Sequence, residues 1–147
     1  MYLEAGSIIT RLKGCFETAK NVLFAILYGS VARGGSTSES DIDVAIYTTD
    51  EVGVDERIEL IYRIAKCIGV SEDKVDVVVL GDSTPLELRY KIFRDGILIF
   101  SRDIEFYRRY RDESISMYLD LKVALRAARY GEIYINKIKA DLFGTEG

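Results

Sequence analysis

The sequence predicts an α/β (α+β) fold: a small mixed sheet of about four strands with packed helices and a C-terminal helical segment. Three observations predict it. Apolar runs of strand length recur between turn residues, segments with a 3.6-residue apolar repeat alternate with them, and the last third of the chain carries the helical repeat alone.

Residues 4–20 read as the first helix, with Ile8, Ile9, Leu12, Cys15, Phe16 and Ala19 on one stripe. Residues 21–28 are a continuous apolar run, the mark of a buried strand. Gly29-Ser30 breaks that run, Val31-Ala32-Arg33 opens a short helix, and residues 34–40 form a loop of small polar residues. Ile42 to Thr48 is the second strand. In the helix over 55–68, Asp55 and Glu56 complement the positive end of the dipole, and Ile58, Ile61, Ala65 and Ile68 form the buried face. Gly69 ends this helix. Lys74 to Leu80, dense in valine, is the third strand. Thr84-Pro85-Leu86-Glu87 supplies a cap, a proline for the first helical position and the Glu of a capping box, for a helix running to about Gly96. Ile97 to Phe100 is a short fourth strand. A long helix then runs from Asp103 to about Arg129, with Tyr107, Tyr110, Met117, Tyr118, Leu121, Leu125 and Ala128 as its apolar stripe. Gly131 breaks it before a further helix or bent extension to Leu142, and the final residues fray. The chain reads as one domain, 1–147, with a core over about 1–101 and the C-terminal helical segment over about 102–142.

Composition narrows the chemistry. The 147 residues contain no histidine, which excludes Ser-His-Asp triads and histidine metal sites. Catalysis must then run on Asp, Glu, Ser, Lys, Arg or Tyr, and oxygen ligands favour Mg²⁺ or Mn²⁺ over zinc. Cys15 and Cys67 lack metal-ligand spacing and are expected to stay reduced as small core residues. A net charge of −4 argues against direct nucleic-acid binding. No membrane span or signal pattern is present, so a cytoplasmic protein is expected. Few amide residues among many charged ones hint at a thermophilic source.

The segment Gly29-Ser30-Val31-Ala32-Arg33-Gly34, followed by Ser40-Asp41-Ile42-Asp43, carries the functional argument. Side chains alternate along a strand, so Asp41, Asp43 and Ala45 share a face. Two carboxylates on one face repel unless a cation sits between them. A solvated strand end is the alternative, and a lone Asp-x-Asp does not decide between the two. Asp76 stands in an otherwise apolar strand, where a charge needs a partner or a metal. The alternative for Asp76 is an edge aspartate paired with Arg or Lys. If its strand neighbours that of Asp43, Asp76 reaches the same site and can take the proton of an acceptor hydroxyl. Gly29 lets backbone approach a ligand, and Ser30 with the following N–H groups can grip phosphate oxygens. An ordinary strand-to-helix turn is the alternative. Arg33 serves either as a fixed positive charge beside a triphosphate or as a bridge to Glu39 or one of the aspartates. A P-loop is excluded, because Gly35 stands where that motif requires lysine.

In this order the motifs resemble the MNT (minimal nucleotidyltransferase) branch of the polymerase-beta-like nucleotidyltransferases, whose pattern is Gly-Ser-x-Ala-Arg-Gly, a spacer, Ser-Asp-x-Asp and a later Asp. Every one of those positions is filled, with Asp76 as the later Asp. The resemblance implies the polymerase-beta-like fold and two Mg²⁺ ions held by Asp41, Asp43 and Asp76. It also implies phosphate binding by Gly29 and Ser30, with Asp76 activating the acceptor. It further implies ATP as substrate and an antitoxin that pairs with a HEPN toxin and transfers AMP to a tyrosine on it. The resemblance leaves three further matters open. Neutralisation could proceed by contact without catalysis, the acceptor could be a small molecule of aminoglycoside type, and the chain could form a homo-oligomer.

Overall fold

The computed structural model describes residues 4–34 and 40–144. The chain builds a mixed four-stranded sheet with helices on both faces. The elements in order are α1 (Ala5–Glu17), β1 (Val22–Tyr28), α2 (Gly29–Ala32), β2 (Ile42–Thr48), α3 (Val54–Ile68), β3 (Val75–Val79), α4 (Leu86–Asp95), β4 (Ile97–Ser101) and α5 (Ile104–Phe143). The strand order is β3-β2-β1-β4, with β1 antiparallel to both β2 and β4 and β3 parallel to β2. The predicted fold class therefore stands. Most of the 34–40 loop and the last three residues lie outside the described residues.

Alternation along the strands builds two cores. On one face Leu27, Val44, Ile46 and Val77 pack under α1 and α3. On the other, Phe24, Ile26 and Ala45 meet Ile92 and Phe93 of α4 and Tyr107 and Tyr110 of α5. The α1 stripe buries Ile8, Leu12 and Phe16 as expected. The buried face of α3 is Leu60, Ile64, Ala65 and Ile68, whereas Ile58, expected inside, is exposed. Val54 and Ile58 both face outward, so the buried stripe starts at Leu60.

Three further expectations are corrected. Thr84 does not cap α4: its Oγ1 accepts from the Gly81 N–H at 3.0 Å, and Pro85 takes the N-cap position. A hydroxyl engaged in the preceding turn is not available to the helix. Cys15 and Cys67 are not separate thiols. Packing of α1 on α3 brings their Cα atoms to 6.4 Å and they form a disulfide closing a 52-residue separation, a cross-link that restricts the unfolded chain. Gly131 does not break the last helix, which is continuous from Ile104 to Phe143. Glycine inside a helix costs about 1 kcal/mol, too little to interrupt forty residues.

Asp103 caps α5 by accepting the Phe106 N–H at 3.1 Å. The first half of the helix is held by Tyr107, Tyr110 and Ser114, which are buried. Arg89 donates to Ser114 Oγ at 2.9 Å and lies over the Tyr110 ring at 4.4 Å. Tyr90 stacks on Tyr118 at 4.4 Å. From Leu119 to Lys139 every residue is exposed, so the expected apolar stripe is covered only in its first third.

Arg102 ties the end of β4 to the end of α1. Its guanidinium donates to the carbonyls of Phe16, Glu17, Ala19 and Val22 at 3.0–3.2 Å. The last carbonyls of a helix have no partner within it, and here a distant arginine supplies one. Arg102→Met is expected to cost about 1–2 kcal/mol. Thermal unfolding should show this as a fall of roughly 3–6 °C in Tm.

Candidate active site

The site grows out of the sheet register. Tyr28 pairs with Asp43 across β1 and β2, and Asp43 pairs with Asp76 across β2 and β3. Register partners share a face, so Tyr28, Asp43 and Asp76 form one row across three strands. Asp41 stands two residues before Asp43, in the position that brings it to the same side. The row lies on the face covered by α4 and α5, whose core includes Tyr28 at its margin.

The electrostatics follow from this crowding. Asp43 is half-buried, and desolvation pushes its carboxyl up to about 6, with the charges of Asp76 and Asp41 adding and Arg33 opposing. Burial likewise pushes the Tyr28 hydroxyl up to about 12, helped by Asp43 and Asp76 and opposed by Arg57. Asp43 thus sits between two further acidic side chains, the arrangement that a divalent cation relieves. Asp76 itself is exposed, which corrects the expectation of a buried charge. β3 is an edge strand, with no further strand beyond it.

Gly29 closes the row from the side of β1. Its φ is +77°, and a Cβ there would overlap Asp43 Oδ2. The carboxylate occupies the space that any other residue would fill. Gly29 also starts α2, earlier than the expected Val31, and Ser30 follows it, partly exposed. In the first turn of a helix the N–H groups lack carbonyl partners and can meet anionic oxygens.

Arg33 caps the end of α2 and forms an ion pair with Asp95 at the end of α4, Nη1 to Oδ2 at 3.5 Å. Asp95 is a partner that no local sequence pattern indicates, and Arg94 holds the same carboxylate at 2.7 Å. Glu39, another expected partner, lies outside the described residues. The fold therefore brings Gly29, Asp41, Asp43 and Asp76 together, with Ser30 and Arg33 alongside. Tyr28 was missed, because its place in the row depends on strand register.

The donor set suits a hard cation: oxygen ligands, clustered negative charge and a glycine-made cradle for one of the carboxylates. Among the described residues no three acidic groups are drawn into a ready-made cage. Also among the described residues, no helix is long and apolar enough to cross a membrane.

Comparison with known proteins gives the family and the fold. The family profile described as "Polymerase beta, Nucleotidyltransferase" matches residues 10–105. A chain of a toxin–antitoxin complex crystallised with AMP-PNP is 25% identical, covers 90% of this chain and 99% of its own, and superposes with a TM-score of 0.65. A chain of a mutant MntA–HpeT toxin–antitoxin complex is 26% identical with the same coverage and a TM-score of 0.63. The complex of a tri-AMPylated Shewanella oneidensis HEPN toxin with an MNT antitoxin contains a chain of the same fold. It has 22% identity, 86% and 96% coverage, and a TM-score of 0.60. No curated protein matches the sequence.

Proposed function

The chain belongs to the polymerase beta nucleotidyltransferase family, and we propose that it transfers AMP from ATP to a tyrosine hydroxyl of a HEPN-type toxin, acting as that toxin's antitoxin. The observation that carries this reading is the Asp43–Asp76 register pair, with Asp41 beside it and Gly29 against it. Solved toxin–antitoxin neighbours, one crystallised with AMP-PNP and another containing an AMPylated toxin, support the choice of nucleotide and partner.

Asp41, Asp43 and Asp76 would hold two Mg²⁺ ions, or Mn²⁺. Such ions, when bound, neutralise the triphosphate and align it for displacement. Ser30 and the N–H groups at the start of α2 hold the β- and γ-phosphates. Arg33, fixed by Asp95 at the mouth of the site, adds positive charge beside them. The acceptor oxygen attacks the α-phosphorus, the bond to the bridging oxygen breaks, and pyrophosphate departs. Asp76, the most open of the row on an edge strand, receives the hydroxyl proton. Positioning supplies much of the rate, as expected where a triphosphate already carries its leaving group. In this reading residues 1–101 are the transferase core and the C-terminal helix is its extension.

The position of the label tests the reaction. With Mg²⁺ and the co-expressed toxin, ATP labelled at the α-phosphate should label the toxin, while a γ-label should leave in pyrophosphate. Transfer of the γ-label, or no transfer to a toxin that binds, would overturn the proposal.

A further inference from the structure

We propose that the distal half of α5 pairs with the same segment of a second copy of this chain, as an antiparallel two-helix seam. From Met117 to Leu142, apolar or small residues recur at alternating spacings of four and three, the 3.5-residue average of a coiled-coil seam. Met117 and Leu121 stand at one end and Ile135, Ile138 and Leu142 at the other, all exposed. Ala124, Ala128 and Gly131 form the middle and are exposed too.

Gly131 selects the kind of occupant. A glycine inside an exposed helix weakens it, and here a Cβ would meet nothing within 4 Å. Among the described residues nothing lies close enough to require the glycine. A second backbone passing close to this point does, as small residues at helix crossings allow.

The order of sizes selects a second copy. Read in reverse, the seam is again large, small, large. An antiparallel pair sets Met117 against Leu142, Leu121 against Ile138, Ala124 against Ile135 and Ala128 against Gly131. A two-fold interface demands this self-complementarity, because each copy offers the same patch. The seam spans about 38 Å of helix. Half the surface of a cylinder of that length and about 11 Å across is roughly 650 Å², close to the ~800 Å² per partner of a standard interface. One pair opposes the arrangement, Asp120 of one copy near Asp141 of the other. Both are surface charges, which salt screens.

Sedimentation equilibrium on the full chain tests this. The wild type is expected to be a dimer at micromolar concentration. Ala128→Glu and Gly131→Leu are each expected to weaken dimerisation at least about tenfold, by overfilling the narrow middle. Val123→Glu, on the outer side of the helix, should leave it unchanged. Gly131→Leu also separates the seam from helix stability, since it should raise the helix content of the monomer while loosening the dimer. When Leu121→Cys and Ile138→Cys single variants are mixed, the inter-chain disulfide should join one of each in the antiparallel register, whereas a parallel pair would join two of the same kind. A monomeric wild type, equal effects of the seam and outer substitutions, or association only with a different protein would overturn the inference. None of these outcomes depends on nucleotide transfer.

Discussion

Asp43→Asn is expected to abolish AMP transfer and, in the same protein, to raise stability in the absence of metal. The two effects share one cause. Asp43 is crowded by Asp76 and Asp41 and half removed from water, which raises its carboxyl to about 6. A folded-state value above the unfolded one means that ionising the group opposes folding. The stabilising contribution of the protonated form is complete below about 4 and is lost as pH rises through about 6. At neutral pH the ligand-free wild type therefore carries strain that an uncharged amide of equal size removes. The shift corresponds to about 3 kcal/mol if taken whole, but roughly half of the group faces solvent, so a gain of about 1–2 kcal/mol is the reasonable expectation. Activity moves the other way. A metal contributes several kcal/mol of charge stabilisation to the transition state, and losing a ligand to it should lower kcat/KM about 10³-fold or more. Thermal unfolding from pH 4 to 8 should show the Tm gap between variant and wild type opening between pH 4 and 6 and holding level above. Millimolar Mg²⁺ at pH 7 should stabilise the wild type more than the variant, because only the wild type has the full charge cluster to bind it. A variant that loses stability, or that keeps its transfer rate, would show that Asp43 plays no part in a metal site.

The residues of the site were legible because they sit at the two ends of strands that the sequence marks clearly. Gly-Ser after an apolar run and Asp-x-Asp at the start of the next run declare themselves locally, and alternation alone puts Asp41 and Asp43 on one side. What the sequence could not declare is register. That Asp76 stands opposite Asp43 depends on β3 lying beside β2 in parallel, and that Tyr28 completes the row depends on β1 pairing antiparallel on the other side. The same holds for Arg102 on the α1 carbonyls and for Cys15 against Cys67, contacts separated by tens of residues. The errors have local causes of a different kind. Apolar neighbours in sequence suggest burial at Asp76 and along α5, yet Asp76 is exposed on an edge strand and every residue from Leu119 to Lys139 is exposed. Thr84 and Gly131 carried the right residue types for a cap and a break, but a competing hydrogen bond disposed of one and the propagation of a long helix disposed of the other.

Gly29→Ala should separate backbone strain from damage to the site, when set against Gly69→Ala. Both glycines have φ near +80°, at +77° and +83°. A side chain at such a φ costs about 1–2 kcal/mol whatever surrounds it. Their surroundings differ. At Gly69, which ends α3, a Cβ would only touch Arg11 Nη1 at 4.0 Å, and no carboxylate of the row lies against it. Gly69→Ala should therefore lower stability by the backbone term alone and leave transfer at the wild-type level. At Gly29 the new methyl overlaps Asp43 Oδ2, so either α2 or the carboxylate must move. Both are parts of the proposed site, one holding phosphate and the other metal. A displacement of about 1 Å in reacting groups can cost on the order of 10²-fold in rate. Gly29→Ala should accordingly match or modestly exceed the stability loss of Gly69→Ala, yet transfer at least about 10²-fold more slowly. Equal rates in the two variants would mean that the approach of Gly29 to Asp43 serves folding only, and that the phosphate-binding half of the site lies elsewhere.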